Sequence, residues 1–297
     1  MSTRSVIAAL GEVLWDVFPD ASHFGGAPAN FACHSAALGA EAWVVSAVGD
    51  DDLGHRAVAT LQRHGVHTQT VAVDPQYPTG QVLVSINDAG VPTYKIAEER
   101  AWDHIAWSEK FIPLATRCDA ACFGSLGQRS PESRATIRHF LRDTRADALR
   151  VFDVNLRQHF YDRETLEESL RLASVLKLND EELPKIAEMF QVFGDSDREL
   201  LGSLAAHFEL RLVALTLGPR GSVLFAAGEF DECPSPPTEV VDTVGAGDAF
   251  TASLVTGFLR DLPLDAINRH ANAVASYVCS QRGATPSLPG SLSLPHG

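Results

Sequence analysis

Apolar and polar positions change period several times along the chain, and each change marks an element. Val6 to Leu10 is an unbroken apolar run of strand length. Glu12 to Phe18 then alternates, with polar side chains at Glu12 and Asp16, as suits a strand with one wet face. The glycine pair Gly25-Gly26 opens a stretch read as a helix from Ala27 to Leu38. Ala42 to Val48 predicts a buried strand, and Asp50, Asp51 and Asp52 suit the dipole at the start of a helix running through His64. Thr79 to Ile96 holds two alternating stretches about a polar turn at Asn87 to Gly90, the pattern of a hairpin.

From Phe111 onward the period alternates. Strands at Ala120 to Phe123, Arg150 to Val154 and Ser174 to Leu178 are separated by amphipathic helices at Pro131 to Arg145 and Arg163 to Leu172. This predicts an α/β fold with a doubly wound, mainly parallel sheet, helices on both faces and right-handed crossovers. The strand at Glu12 to Phe18 and the hairpin fall outside that alternation. They predict a small separate β-sheet, about residues 12–24 and 76–100, inserted in a single domain spanning 1–297. In open sheets ligands collect at the carboxyl ends of strands. Three predicted strand ends carry polar groups: Asp153 to Arg157, Asn179 to Glu182, and Thr216 to Gly221. An ion pair between Asp153 and Arg157 accounts for the first as well as ligand binding by Arg157 does.

The chemistry concentrates at Val240-Val241-Asp242-Thr243-Val244-Gly245-Ala246-Gly247-Asp248-Ala249-Phe250. Glycines at a helix start free the peptide N–H groups of Gly245, Ala246, Gly247 and Asp248 to converge on an anion. Asp248 in the same turn is either a helix cap or a base beside a bound phosphoryl group. As a base it is expected to stay ionised under the helix dipole. No Gly-x-x-x-x-Gly-Lys-Ser/Thr run occurs, which excludes a P-loop.

The run Asp-Thr-x-Gly-Ala-Gly-Asp-x-Phe resembles the carboxy-terminal signature of the ribokinase-like carbohydrate kinases, the PfkB family. That resemblance implies Asp248 as catalytic base, with the amides of Gly245, Ala246 and Gly247 as an anion hole. Gly25-Gly26 with Asn30 resembles the family's sugar-binding pair, with Asp16 and Arg157 as further sugar contacts and the small sheet as a lid. On the nucleotide side it implies Asn179, Thr216, Gly218, Gly221, Gly245, Gly247 and Asn272. It implies ATP with Mg2+ held through water by Glu182, and a monovalent cation such as K+ near the backbone of Asp242 and Val244. The opening residues Gly11 to Asn30 look most like bacterial fructokinases, so D-fructose is the expected acceptor. Ribose, 2-keto-3-deoxygluconate, a nucleoside, or a silent sugar-binding regulator are the alternatives.

Composition narrows this little. With 297 residues, 45% hydrophobic and 21% charged, the chain can bury a large core. A net charge of −14 opposes non-specific binding to nucleic acid or anionic membrane. Five scattered cysteines read as reduced thiols, and the start lacks an export signal, so a cytoplasmic setting is expected. Pairing of two copies through the lid edge is the expected mode of any homodimer.

Overall fold

A computed structural model of the chain describes residues 4–18, 20–86 and 92–293. In chain order the strands are β1 (Val6–Leu10), β2 (Leu14–Val17), β3 (Ser22–Gly25), β4 (Glu41–Gly49), β5 (Val71–Asp74), β6 (Gly80–Ile86) and β7 (Pro92–Ile96). They continue as β8 (Ala120–Gly124), β9 (Leu149–Asp153), β10 (Val175–Asn179), β11 (Leu212–Thr216), β12 (Ser222–Ala226) and β13 (Glu229–Cys233). The helices are α1 (Ala27–Ala37), α2 (Asp52–Arg63), α3 (Ile112–Ala115), α4 (Pro131–Asp143) and α5 (Arg163–Leu172). After them come α6 (Glu182–Phe190), α7 (Asp197–Phe208), α8 (Ala246–Phe258) and α9 (Leu264–Cys279).

Among the described residues one sheet has the order β13-β12-β11-β10-β9-β8-β1-β4-β5. It is parallel from β11 to β5, and β12 and β13 close one edge antiparallel. Along β1, Ile7 and Ala9 face one core while Ala8 and Leu10 face the other. Burial on both faces is why this strand reads as a continuous apolar run. Phe140, Leu166, Ile186 and Leu204 of α4 to α7 cover one face; Phe31, Leu61, Phe250 and Val274 of α1, α2, α8 and α9 cover the other.

A second sheet of order β3-β2-β6-β7 stands apart, as the hairpin pattern predicted. The hairpin turn, Asn87 to Gly90, lies outside the described residues. Leu14, Val82, Ile96, Trp102 and Leu126 form its own small core at the junction with the body. Several ties fasten this junction, among them Trp15 Nε1, which donates to the carbonyl of Leu53 at 2.9 Å. Arg129 reaches Asp103 at 2.6 Å and the carbonyl of Ala97 at 2.7 Å, and Gln158 Nε2 donates to the carbonyl of Tyr94 at 2.8 Å.

Several expectations change in detail. The strand from Glu12 to Phe18 begins only at Leu14, and Glu12 is buried rather than on a wet face, 3% exposed. The acidic run ahead of α2 acts as a cap: Asp51 accepts from Gly54 N at 2.8 Å and also from Thr79. Among the described residues no helix is long and apolar enough to cross a membrane.

Candidate active site

Strand order reverses about β1, which sends successive strands outward in both directions, and at such a switch point the strand ends leave a crevice. Glu12 follows β1 there, Gly124 ends β8, Asp153 ends β9, and α8 brings Asp248 to the same place. A small cavity of about 20 Å3 lies between them, lined by Glu12, Phe31, Cys122, Asp153, Asn155 and Asp248. A wider surface groove of about 670 Å3 lies on α7, away from these strand ends.

The loop before α8 is shaped by Gly245. Its φ of +81° is a left-handed conformation that glycine adopts without a steric cost, and a Cβ there would strike the backbone of Ala284. Asp242 fastens the same region, accepting from Val244 N at 3.0 Å and Gly283 N at 3.1 Å. Ala246, Gly247 and Asp248 then form the first turn of α8, where N–H groups have no partner within the helix.

Asp248 is held less firmly in its ionised form than the dipole alone would have it. Burial first, and the negative charge of Asp153 second, push its carboxyl up from 3.8 to about 7; Asn30, Lys177 and Arg157 oppose the rise. Desolvation outweighs the helix terminus here because the dipole contributes only about 0.3–1 kcal/mol at an ordinary exposed site. Glu12 is likewise raised to about 7, again mainly by burial and then by Asp248 among the charges around it.

Asn30 sits in the first turn of α1 and donates from Nδ2 to Asp248 Oδ2 at 2.9 Å, while its buried Oδ1 has no partner. The glycine pair places it there. Gly26 has φ of +105°, and a Cβ would stand 2.5 Å from the carbonyl of Glu12; one on Gly25 would stand 3.1 Å from Asp16 Oδ2. Asp16 on β2 faces His23 on β3, and burial raises its carboxyl despite that neighbour. Arg157 is exposed at the rim, with its charge reaching Glu12, Asp16 and Asp248.

The ion pair weighed for Asp153 forms with another residue. Lys177 Nζ donates to Asp153 Oδ1 at 3.1 Å, and Thr251 Oγ1 of α8 donates to Oδ2 at 2.9 Å. The ammonium lies under the anion loop, 3.3 Å from where a Cβ of Gly247 would stand. Burial opposes its charge, but Asp153 and Glu182 outweigh burial and raise its pKa above the usual lysine value. Sequence reasoning passed over Lys177, Thr251 and Glu12. Lys177 carried a signal, since a charged residue interrupting the apolar strand Val175-Leu176-Lys177-Leu178 must find a buried partner.

On the other side of the crevice, Asn179 Oδ1 accepts from Glu181 N and Glu182 N at 2.9 Å each and so caps α6. Glu182 accepts one backbone N–H on each carboxyl oxygen, from Leu156 and Asn179, both at 2.9 Å. Lone pairs remain on both oxygens. Among the described residues no three His, Cys, Asp or Glu side chains converge on a common point. A hard carboxylate oxygen with a free lone pair is the donor type that suits Mg2+, an ion that keeps most of its waters.

Thr216 ends β11, its hydroxyl 3.4 Å from the carbonyl of Leu178. Gly218 opens the turn to β12 with nothing within 4 Å of a Cβ, whereas Gly221 is pressed against the backbone of Cys233 and Pro234. Gly221 is thereby a hairpin packing residue. Asn272 is likewise engaged within the protein. Its Nδ2 donates to Ser222 Oγ at 2.6 Å and to Asn268 O and Oδ1, within a buried network under β12.

A large, mostly parallel sheet flanked by helices, with a smaller second sheet beside it, makes this a ribokinase-like α/β fold. Within that class, the chain belongs to the pfkB family of carbohydrate kinases, whose model matches residues 11–290. An uncharacterized sugar kinase, PH1459, from Pyrococcus horikoshii is 30% identical over 94% of this chain and 91% of its own. Its structure in complex with ATP superposes with a TM-score of 0.79, covering 94% of each chain. The fructokinase of Escherichia coli is 30% identical over 84% of this chain and 82% of its own. A fructokinase of Xylella fastidiosa with bound ATP, 22% identical, shares the fold at a TM-score of 0.83 over 97% of this chain and 96% of that one.

Proposed function

We propose that this carbohydrate kinase transfers the γ-phosphoryl group of ATP to a primary hydroxyl of D-fructose, giving fructose 6-phosphate. The observation that carries the reading is the 2.9 Å hydrogen bond from Asn30 to Asp248, which seats the sugar-side glycine motif directly against the carboxyl at the anion loop. The named fructokinase relatives support fructose as acceptor. Ribose, 2-keto-3-deoxygluconate or a nucleoside would need only different hydroxyl contacts in the same cleft.

In this reading the amides of Gly245, Ala246 and Gly247 hold the transferring phosphoryl, and Lys177 beneath Gly247 adds positive charge to that cradle. Asp16, Gly25, Gly26, Asn30 and Arg157 hold the sugar. Thr216 and Gly218 border the nucleotide, with Asn179 and Glu182 at the phosphates. Mg2+, held through water by Glu182, supplies charge neutralisation along the phosphates. The turns of Asp242, Val244 and Gly283, drawn together by the Asp242 carboxylate, suit a K+ ion held by backbone oxygens. Asp248 takes the hydroxyl proton as the new P–O bond forms, which requires its ionised form. Its raised pKa predicts a rate that falls as pH drops below about 7.

Coupled ADP release over a panel of D-fructose, D-ribose, 2-keto-3-deoxygluconate and a nucleoside tests the reading. Turnover with fructose, lost about 100 to 10,000-fold in Asp248→Asn while ATP binding persists, is the expected result. Turnover with none of them would favour a sugar-binding regulator. Leu83 and Tyr94 of the lid are exposed, which supports pairing of two copies there; a monomer in sedimentation velocity would exclude it.

A further inference from the structure

Glu12 occupies a place that burial alone makes costly. It is 3% exposed, and its Oε2 has no hydrogen-bond partner. The other side of the group is favoured by its own backbone N–H and that of Ala27, at the start of α1. Between Glu12 and Asp248 lies the cavity of about 20 Å3, with Asp153 and Asn155 also on its wall. A cavity of about 10–15 Å3 or more holds one water, given two to four polar partners. Both conditions are met here.

We propose that Glu12 is a positioning residue for proton transfer, receiving through a water seated in the cavity between them the proton that Asp248 takes up in the reaction. The proposal rests on Asp248 being the base of the kinase reaction. As the sugar oxygen bonds to phosphorus and the electron pair of the breaking P–O bond goes to the departing diphosphate, the hydroxyl proton passes to Asp248. The water then takes that proton and gives one to Glu12, so Asp248 returns to carboxylate while product still fills the cleft. After product leaves, the proton returns by the same path to solvent at the open side of Asp248.

Charged and titratable groups approach this pair from each packed element. Asp153 of β9 and Lys177 of β10 lie below, Arg157 at the rim, Cys122 of β8 at the cavity wall and Asn30 of α1 on Asp248. Lys177 offsets part of the charge of Asp153 at 3.1 Å, and Asp153 still raises Asp248 from the same cavity wall, so Glu12 and Asp248 titrate in its field. Two carboxyl groups in one low-dielectric site cannot both ionise freely, and their titration belongs to the pair.

The test is a pH titration of the free enzyme, following the infrared carbonyl absorption of protonated buried carboxyls in the native protein, Glu12→Gln and Asp248→Asn. Besides the steps of Asp16 and Glu182, which burial also raises, the native enzyme should show two coupled steps. Each variant should lose one of the two and show the other about one pH unit or more below the upper native step, because the like charge is gone. A remaining step of the pair that stays at the upper native pH in either variant overturns the proposal, so one folded variant suffices. In kinetics, the acid limb of kcat/KM for ATP with D-fructose should move down in Glu12→Gln and back toward native in Glu12→Asp. Failure of the underlying reading looks different: Asp248→Asn would then turn over normally, whatever the infrared steps do.

Discussion

At the scale of single residues, Asp248 is set between a helix start that favours its charge and surroundings that disfavour it, and the surroundings win. The folded protein binds its proton up to about pH 7, whereas an unfolded chain releases it near 3.8. Stability from this group is therefore fully present below about 3.8 and lost progressively as pH rises through about 7. Asp248→Asn, neutral at every pH, should match the native protein in Tm at pH 3.8 or below and exceed it increasingly up to about pH 7, with a constant gain above. Differential scanning calorimetry across that range checks it; a gain that shrinks with rising pH would contradict the raised pKa. Gly245 offers the opposite case. Gly245→Ala forces a Cβ at φ +81° into the Ala284 backbone, and should cost roughly 1–3 kcal/mol in denaturant unfolding while weakening ATP binding.

At the scale of elements, β9, β10 and the second turn of α8 are pinned by one buried group each: Asp153, Lys177 and Thr251. Lys177→Met leaves the Asp153 carboxylate without its counter-charge, and should destabilise the protein by about 3–5 kcal/mol in urea unfolding. Asp153→Asn added to that variant should restore much of the loss, because the uncompensated charge is then gone; no recovery would mean that packing rather than charge carries the brace. The same elements show what a sequence makes legible. β1, β4, β8, β9, β10 and β11 announce themselves because burial on both faces leaves long apolar runs, and the anion loop because its glycines open a helix. The edge strands β5 and β13, and β3 with only four residues, lack that apolar continuity, and they were not foreseen. Asp248 and Asn30 were legible as parts of two motifs, but their contact spans 218 residues and only the fold reveals it. Glu12 looked like the wet position of an alternating strand because nothing local says that α1 and α8 will close over it.

At the scale of the whole molecule, function depends on how the small sheet sits over the large one. Asp16 and Gly25 belong to the small sheet, whereas Asn179, Thr216 and Gly245 to Asp248 belong to the body. A tether between the two sheets should therefore act on the sugar more than on ATP. Gln158, in the loop that carries Arg157, is such a tether: its amide donates to the carbonyl of Tyr94 on β7 at 2.8 Å. The bond is exposed, so its loss removes about 0.5–1.5 kcal/mol of lid closure at most. Gln158→Ala should raise KM for the sugar about two- to tenfold and leave KM for ATP within twofold, with native Tm, in steady-state assays varying each substrate in turn. Glutamate at the same position removes the donor without shortening the chain and should reproduce the sugar effect. Equal effects on both substrates would mean that the loop serves Arg157 alone and that the small sheet is held elsewhere, as by Arg129 on the Ala97 carbonyl and Trp15 on the Leu53 carbonyl.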